Sequence, residues 1–209
     1  AGFPKNGYYF YASEWTDKPI LHVFPHWNWE EGSIIDIWTY TNYDEVELFL
    51  NGNSLGKKQK TEDNYQLVWR LKYTPGIIRA IAIKEGKKPL IKEIRTAGEP
   101  ARIVLEPDRS LIRADGKDLS FVTVKVLDDK GTLVPHADNL INFEIEGEGF
   151  IAGVDNGSQT SHEPFKANYR KAFNGMCLVV VQAKEKHGNI SLSATSEGLE
   201  PASVNITVK

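Results

Sequence analysis

The segment Pro25-His26-Trp27-Asn28-Trp29-Glu30-Glu31-Gly32 crowds indole faces, an imidazole, an amide and carboxylates into one short stretch. Indole rings stack on the apolar faces of sugars, and His and Asn side chains exchange hydrogen bonds with hydroxyls. His26, Trp27, Asn28 and Trp29 are therefore candidates for a carbohydrate contact. The same rings at a domain junction would pack neighbouring domains together, and on the sequence both readings stay open.

Other chemistry finds less support. A nucleophilic Ser, Cys or Thr needs a base within hydrogen-bond reach. The five histidines (His22, His26, His136, His162, His187) are scattered, no Gly-x-Ser-x-Gly elbow occurs, and Cys177 sits inside an apolar run that reads as a buried, inert thiol. Glycine loops of the P-loop or dinucleotide type are absent, which argues against nucleotide chemistry. A glycosidase needs two carboxylates across the sugar, roughly 5–5.5 Å apart for retention. Glu144 and Glu146 alternate on one strand pattern at about 7 Å, but beside Phe143 and Ile145 they read as a solvated face. Asp115, Asp118, Asp128, Asp129 and Asp155 lack EF-hand spacing and read as turn chemistry, so neither a metal nor a cofactor is expected. Asn156, Asn189 and Asn205 begin glycosylation sequons, which matter only in a eukaryotic secretory pathway.

The elements that must position these residues are strands. From about Ser33 onward, short runs alternate apolar and polar residues and are broken by Gly, Asn, Asp and Pro, as half-buried antiparallel strands do. Val46, Leu48 and Leu50 share a face before Asn51-Gly52, a type I′ hairpin turn. Leu67, Trp69, Leu71 and Tyr73 share another, and Ile77–Ile83 and Leu90–Arg95 follow. A linker at Thr96–Pro100 precedes a fresh alternation from Ile103, then runs at Phe121–Leu127, Ile141–Ile145, Met176–Ala183, Ile190–Ala194 and Val204–Val208. About seven strands at this spacing predict an immunoglobulin-like sandwich in the second half. The reading is all-β: two tandem immunoglobulin-like β-sandwiches, residues 19–97 and 98–209, preceded by a short helical segment within residues 1–18. In that opening segment Tyr8, Tyr11 and Trp15 recur at helical spacing while Tyr9 and Phe10 load an adjacent face, more aromatic surface than one short helix can bury unaided.

The chain has 209 residues with Lys plus Arg 25, Asp plus Glu 28 and net charge −3, so no basic field points to nucleic acid or an anionic membrane. All five tryptophans, Trp15, Trp27, Trp29, Trp38 and Trp69, fall in the first third. A single cysteine excludes an intrachain disulfide. No apolar run approaches the roughly 20 residues of a membrane span, and no leader pattern opens the chain, which reads as a mature or truncated protein.

The runs Tyr8-Tyr9-Phe10-Tyr11-Ala12-Ser13-Glu14-Trp15-Thr16-Asp17-Lys18-Pro19, Pro25-His26-Trp27-Asn28-Trp29 and Val46-Glu47-Leu48-Phe49-Leu50-Asn51-Gly52 resemble the region after the catalytic barrel in bacterial β-galactosidases of glycoside hydrolase family 2. Ala114-Asp115-Gly116-Lys117-Asp118-Leu119 with Gly153-Val154-Asp155-Asn156-Gly157 is similar to those enzymes' additional C-terminal domain, related to invasin-type sandwiches. The resemblance implies non-catalytic accessory domains that support a catalytic barrel elsewhere in a parent chain, with residues 1–18 resembling the barrel's last helix. It implies a periplasmic or secreted setting and a possible glycan contact at the Trp27/Trp29 loop. The family's acid/base Glu follows Asn, and this chain has no Asn-Glu dipeptide, so no catalytic residue carries over and the chain itself is expected to be inactive. A carbohydrate-binding module and a surface adhesion or spacer protein are the alternatives; burial of Trp38 and Trp69 would count against the first.

Overall fold

A computed structural model describes residues 2–209. It divides into two compact units, Phe3–Thr96 and Ala97–Lys209.

The first unit holds helix α1 (Asn6–Trp15) and strands β1 (Leu21–Phe24), β2 (Ile34–Thr41), β3 (Glu45–Leu50), β4 (Asn53–Gln59), β5 (Leu67–Lys72), β6 (Ile77–Ile83) and β7 (Leu90–Arg95). A sheet of order β1-β2-β5 faces one of order β4-β3-β6-β7, all antiparallel. Their inner faces bury Val23, Ile37, Val46, Leu48, Trp69, Ile78, Ala80 and Ala82. Alternation alone accounts for this, because each inward position is followed by one that faces out. The β3–β4 turn places Asn51 at φ 50° and Gly52 at φ 83°, the two positive values a type I′ turn needs. Asn51 also binds the next turn: its Oδ1 accepts from Ile77 N at 2.8 Å and its Nδ2 donates to Pro75 O at 3.2 Å. Gly76 must be glycine there, since its φ is +145° and a Cβ would lie 1.8 Å from Asn51 Oδ1.

The outer face of the β1-β2-β5 sheet is aromatic. His22 pairs with Tyr40 and Phe24 with Trp38 across β1 and β2, and all four are half-buried. Helix α1 covers part of this face: Phe10 meets Tyr40 edge-on at 5.4 Å and Tyr9 stacks on His22 at 3.8 Å. Lys60 Nζ joins Glu14 of the helix to Thr41 O, at 2.5 and 2.9 Å. The helix has no side-chain N-cap, no acidic residue in its first turn and no basic residue in its last. At ten residues it owes its existence to these contacts rather than to local propensity.

The second unit contains β8 (Arg102–Pro107), β9 (Leu111–Ile112), β10 (Leu119–Leu127), β11 (Leu140–Gly147), β12 (Gly149–Asp155), β13 (Tyr169–Lys171), β14 (Met176–Ala183), β15 (Gly188–Thr195) and β16 (Ala202–Val208). One sheet runs β12-β14-β10-β8 and the other β13-β11-β15-β16-β9, with β9 parallel to β16. Val122, Val124, Val126, Ile141, Phe143, Val179, Val181, Ile190 and Leu192 are buried between them.

Sequence patterning misses several strands for identifiable reasons. Strand β12 carries an extra residue, Ala152, where the register shifts between Ile151 and Gly153, and that bulge breaks the period of two. Strand β4 is polar along its length and sits at a sheet edge, so it has no apolar stripe to reveal it.

Candidate functional site

The four candidates His26, Trp27, Asn28 and Trp29 lie in the loop between β1 and β2, and the structure separates them. Trp27 is fully buried in the first unit's own core. Its ring meets Tyr73 edge-on at 5.0 Å, and its Nε1 donates to Thr74 O at 3.0 Å. Thr96 Oγ1 donates to Trp27 O at 2.8 Å and accepts from Gly76 N at 3.1 Å. Trp27 therefore presents no ring face at the surface of its unit.

Trp29 differs. It remains 38 % exposed, stacks on His26 with centroids 4.6 Å apart and planes inclined by 17°, and donates from Nε1 to His26 O at 2.8 Å. Asn28 N donates to His26 Nδ1 at 3.2 Å, which makes Nδ1 an acceptor and leaves the proton of the neutral ring on Nε2. The loop thus folds Trp29 back onto His26 as a paired ring surface. Such a surface can pack or stack, but it carries no nucleophile and no acid/base pair.

Trp69 is buried at 4 % exposure and Trp38 is half-buried, so neither contributes to a flat exposed row of the kind a carbohydrate-binding face presents.

The carboxylates in the turns are occupied with backbone donors. Asp115 Oδ1 accepts from the N–H groups of Lys117 and Asp118 at 2.9 and 2.8 Å. Asp128 accepts from Gly98 at 2.9 Å, Lys130 at 3.0 Å and Thr132 at 2.7 Å. Burial works against the charge of Asp128, but the N–H groups of Gly98, Thr132 and Lys130 outweigh it and hold the carboxyl below its usual range. Glu144 and Glu146 are exposed on β11, opposite Ser193 and Ser191 of β15. Cys177 is buried, and desolvation pushes its thiol up to about 12, out of reach as a nucleophile.

Two arrangements escape the sequence reading. His22 donates from Nε2 to Asn6 Oδ1 at 2.9 Å, under the ring of Tyr9; burial, with Lys92 nearby, lowers its pKa to about 4. Arg170 is buried at 1 % exposure: its guanidinium donates to Glu163 O at 2.9 Å and pairs with Asp155 at 3.5 Å and Glu163 at 3.8 Å. Nothing in the sequence pattern marks Arg170 as inward, because strand β13 is three residues long and too short to show alternation.

Comparison with known proteins follows from this geometry. Residues 103–205 match the model of glycoside hydrolase family 2 C-terminal domain 5, and residues 32–89 match a domain of unknown function, DUF4982. Among curated proteins, the chain is 59 % identical over 210 residues to the β-galactosidase BoGH2A of Bacteroides ovatus, an alignment covering 100 % of this chain and 25 % of that protein. Among solved structures, a β-glycosidase from Bacteroides vulgatus superposes with TM-score 0.94 at 35 % identity, over 99 % of this chain and 27 % of the other. A glycosyl hydrolase family 2 member from Bacteroides cellulosilyticus gives TM-score 0.92 at 35 % identity, over 100 % and 31 %. The chain thus spans about a fifth to three tenths of the length of the curated relatives it matches along most of its own length.

Proposed function

The chain belongs to glycoside hydrolase family 2, as part of its C-terminal region, and on that premise we propose that its two sandwiches are non-catalytic accessory domains of a β-galactosidase. The observation that carries this reading is the 59 % identity with a β-galactosidase along the whole of the chain. Within the parent protein the sandwiches support a catalytic barrel. The row Tyr8, Tyr11 and Trp15 on α1, exposed at 60, 50 and 76 %, supports that role, because an apolar stripe at helical spacing is suited to packing against a neighbouring element.

Two assays test the reading. The 209-residue chain by itself should release no chromophore from a β-galactoside, while a longer gene product that contains it should do so. Turnover that follows the isolated chain through purification would overturn the non-catalytic assignment. A longer product that cleaves β-glucuronides but not β-galactosides would overturn the galactosidase.

A glycan contact at Trp29 is a finer reading, favoured by the partial exposure of its ring. In the longer enzyme, Trp29→Ala should raise KM for an extended galactoside with little change for the nitrophenyl substrate; equal KM values would leave Trp29 a packing residue. The setting that goes with this function is periplasmic or secreted, and a cytoplasmic signal on cell fractionation would refute it.

A further inference from the structure

The second unit contains a groove of about 710 Å³ at the β12 edge of its sandwich. That volume lies within the roughly 300–1,000 Å³ usual for small-ligand sites. Its floor is apolar and backed by the core: Ile145, Ile151 and Ala167 all pack on the buried cluster. Beside them Phe150 keeps 42 % of its surface exposed. The bulge residue Ala152 also lines the groove, and bulges are a common device for re-aiming side chains beside a site.

The polar side of the groove is held in place by the main chain. Val154 N donates to Phe165 O at 2.8 Å and Phe143 N to Asn168 O at 2.7 Å, so the segment 165–168 is tied at both ends. Arg170 pins the residues just before it through Glu163 O. Between these ties Lys166 and Asn168 line the groove and are exposed, with no side-chain hydrogen bond or ion pair to another described residue. Gln182, the cross-strand partner of Phe150, donates its Nε2 to Gly116 O at 2.7 Å, which fixes the amide and leaves its Oε1 as an acceptor.

We propose that this groove binds a pyranose unit of a glycan, as a holding site apart from any chemistry. A pyranose has a C–H face and a hydroxyl rim. Phe150 and the aliphatic floor suit the face, while Lys166, Asn168 and the Gln182 oxygen suit the rim. A purely apolar ligand would strip water from Lys166 and Asn168 without giving them partners. The choice of glycan as ligand class rests on the accessory-domain reading above, but its test does not.

That test is titration of the isolated chain, by calorimetry and by amide chemical shifts, with galactotetraose, cellotetraose and mannotetraose. At least one should bind and move the amides of residues 150–152 and 166–168. Phe150→Ala should weaken that binding at least ten-fold and Asn168→Ala several-fold, with unchanged circular dichroism. Phe121→Ala, which alters an exposed ring on β10 outside the groove, should leave affinity unaltered. If none of the three binds, if the shifted amides lie elsewhere, or if both Phe150→Ala and Asn168→Ala bind as before, the site is refuted. Because the readout is binding to this chain, it is independent of which glycoside the longer enzyme cleaves.

Discussion

Trp27 and Trp29 are two residues apart, yet their environments make them opposites. Trp27 fills the core and satisfies its indole N–H on Thr74 O, whereas Trp29 lies against His26 and stays partly exposed. Truncating a fully buried aromatic costs the transfer of the ring plus the cavity left behind. Trp27→Ala should therefore destabilise the first unit by about 3–5 kcal/mol in urea unfolding. Trp29→Ala should cost about 1 kcal/mol by the same measurement. Arg170→Met is a second test at this scale: it removes a buried cation from Asp155 and Glu163 together with its hydrogen bond to Glu163 O, and about 1–3 kcal/mol of the second unit's stability should go with it in the same measurement. Among these residues only the aromatic character of the loop was legible in the sequence. Which tryptophan points inward depends on Tyr73, Thr74 and Thr96, which come from far along the chain.

Helix α1 shows what an element gains from its partners. Without an N-cap or charge bias it should fray wherever its contacts with Tyr40, His22 and Lys60 are lost. His22 makes that dependence sensitive to pH. Its folded pKa, about 4, lies below the ordinary value of 6.5, because burial penalises the imidazolium and Lys92 adds like charge. The unfolded chain therefore binds the extra proton first: the stabilising contribution is complete above about pH 6.5 and is lost as pH falls towards 4. A histidine NMR titration should find His22 still neutral at pH 5.5, and His22→Phe should flatten the decline of Tm between pH 6.5 and 4.5. A His22 titrating near 6.5 would contradict the packing of Tyr9 over its ring.

For the whole molecule, the two hydrophobic clusters share no residue. One draws its members from Leu21 to Ile94, the other from Ala97 to Val208. A chain of residues 97–209 expressed alone should consequently fold with a single cooperative urea transition, and a broad, non-cooperative melt would show that its core is incomplete. No helix among the described residues is long and apolar enough to cross a membrane.

The all-β class, the sandwich character and most strands follow from the sequence alone, because alternation and turn residues act over a few neighbouring positions. Val46-Glu47-Leu48-Phe49-Leu50-Asn51-Gly52 encodes a strand and its turn without reference to anything distant. The tertiary structure decided what depends on remote partners. It turned Trp27 into core, set Arg170 inside the second sandwich, built a groove around the Ala152 bulge and laid a helix without an N-cap on the aromatic sheet. Those outcomes are fixed by burial and hydrogen bonding between residues of different strands and loops, and local sequence periodicity carries no record of such pairings.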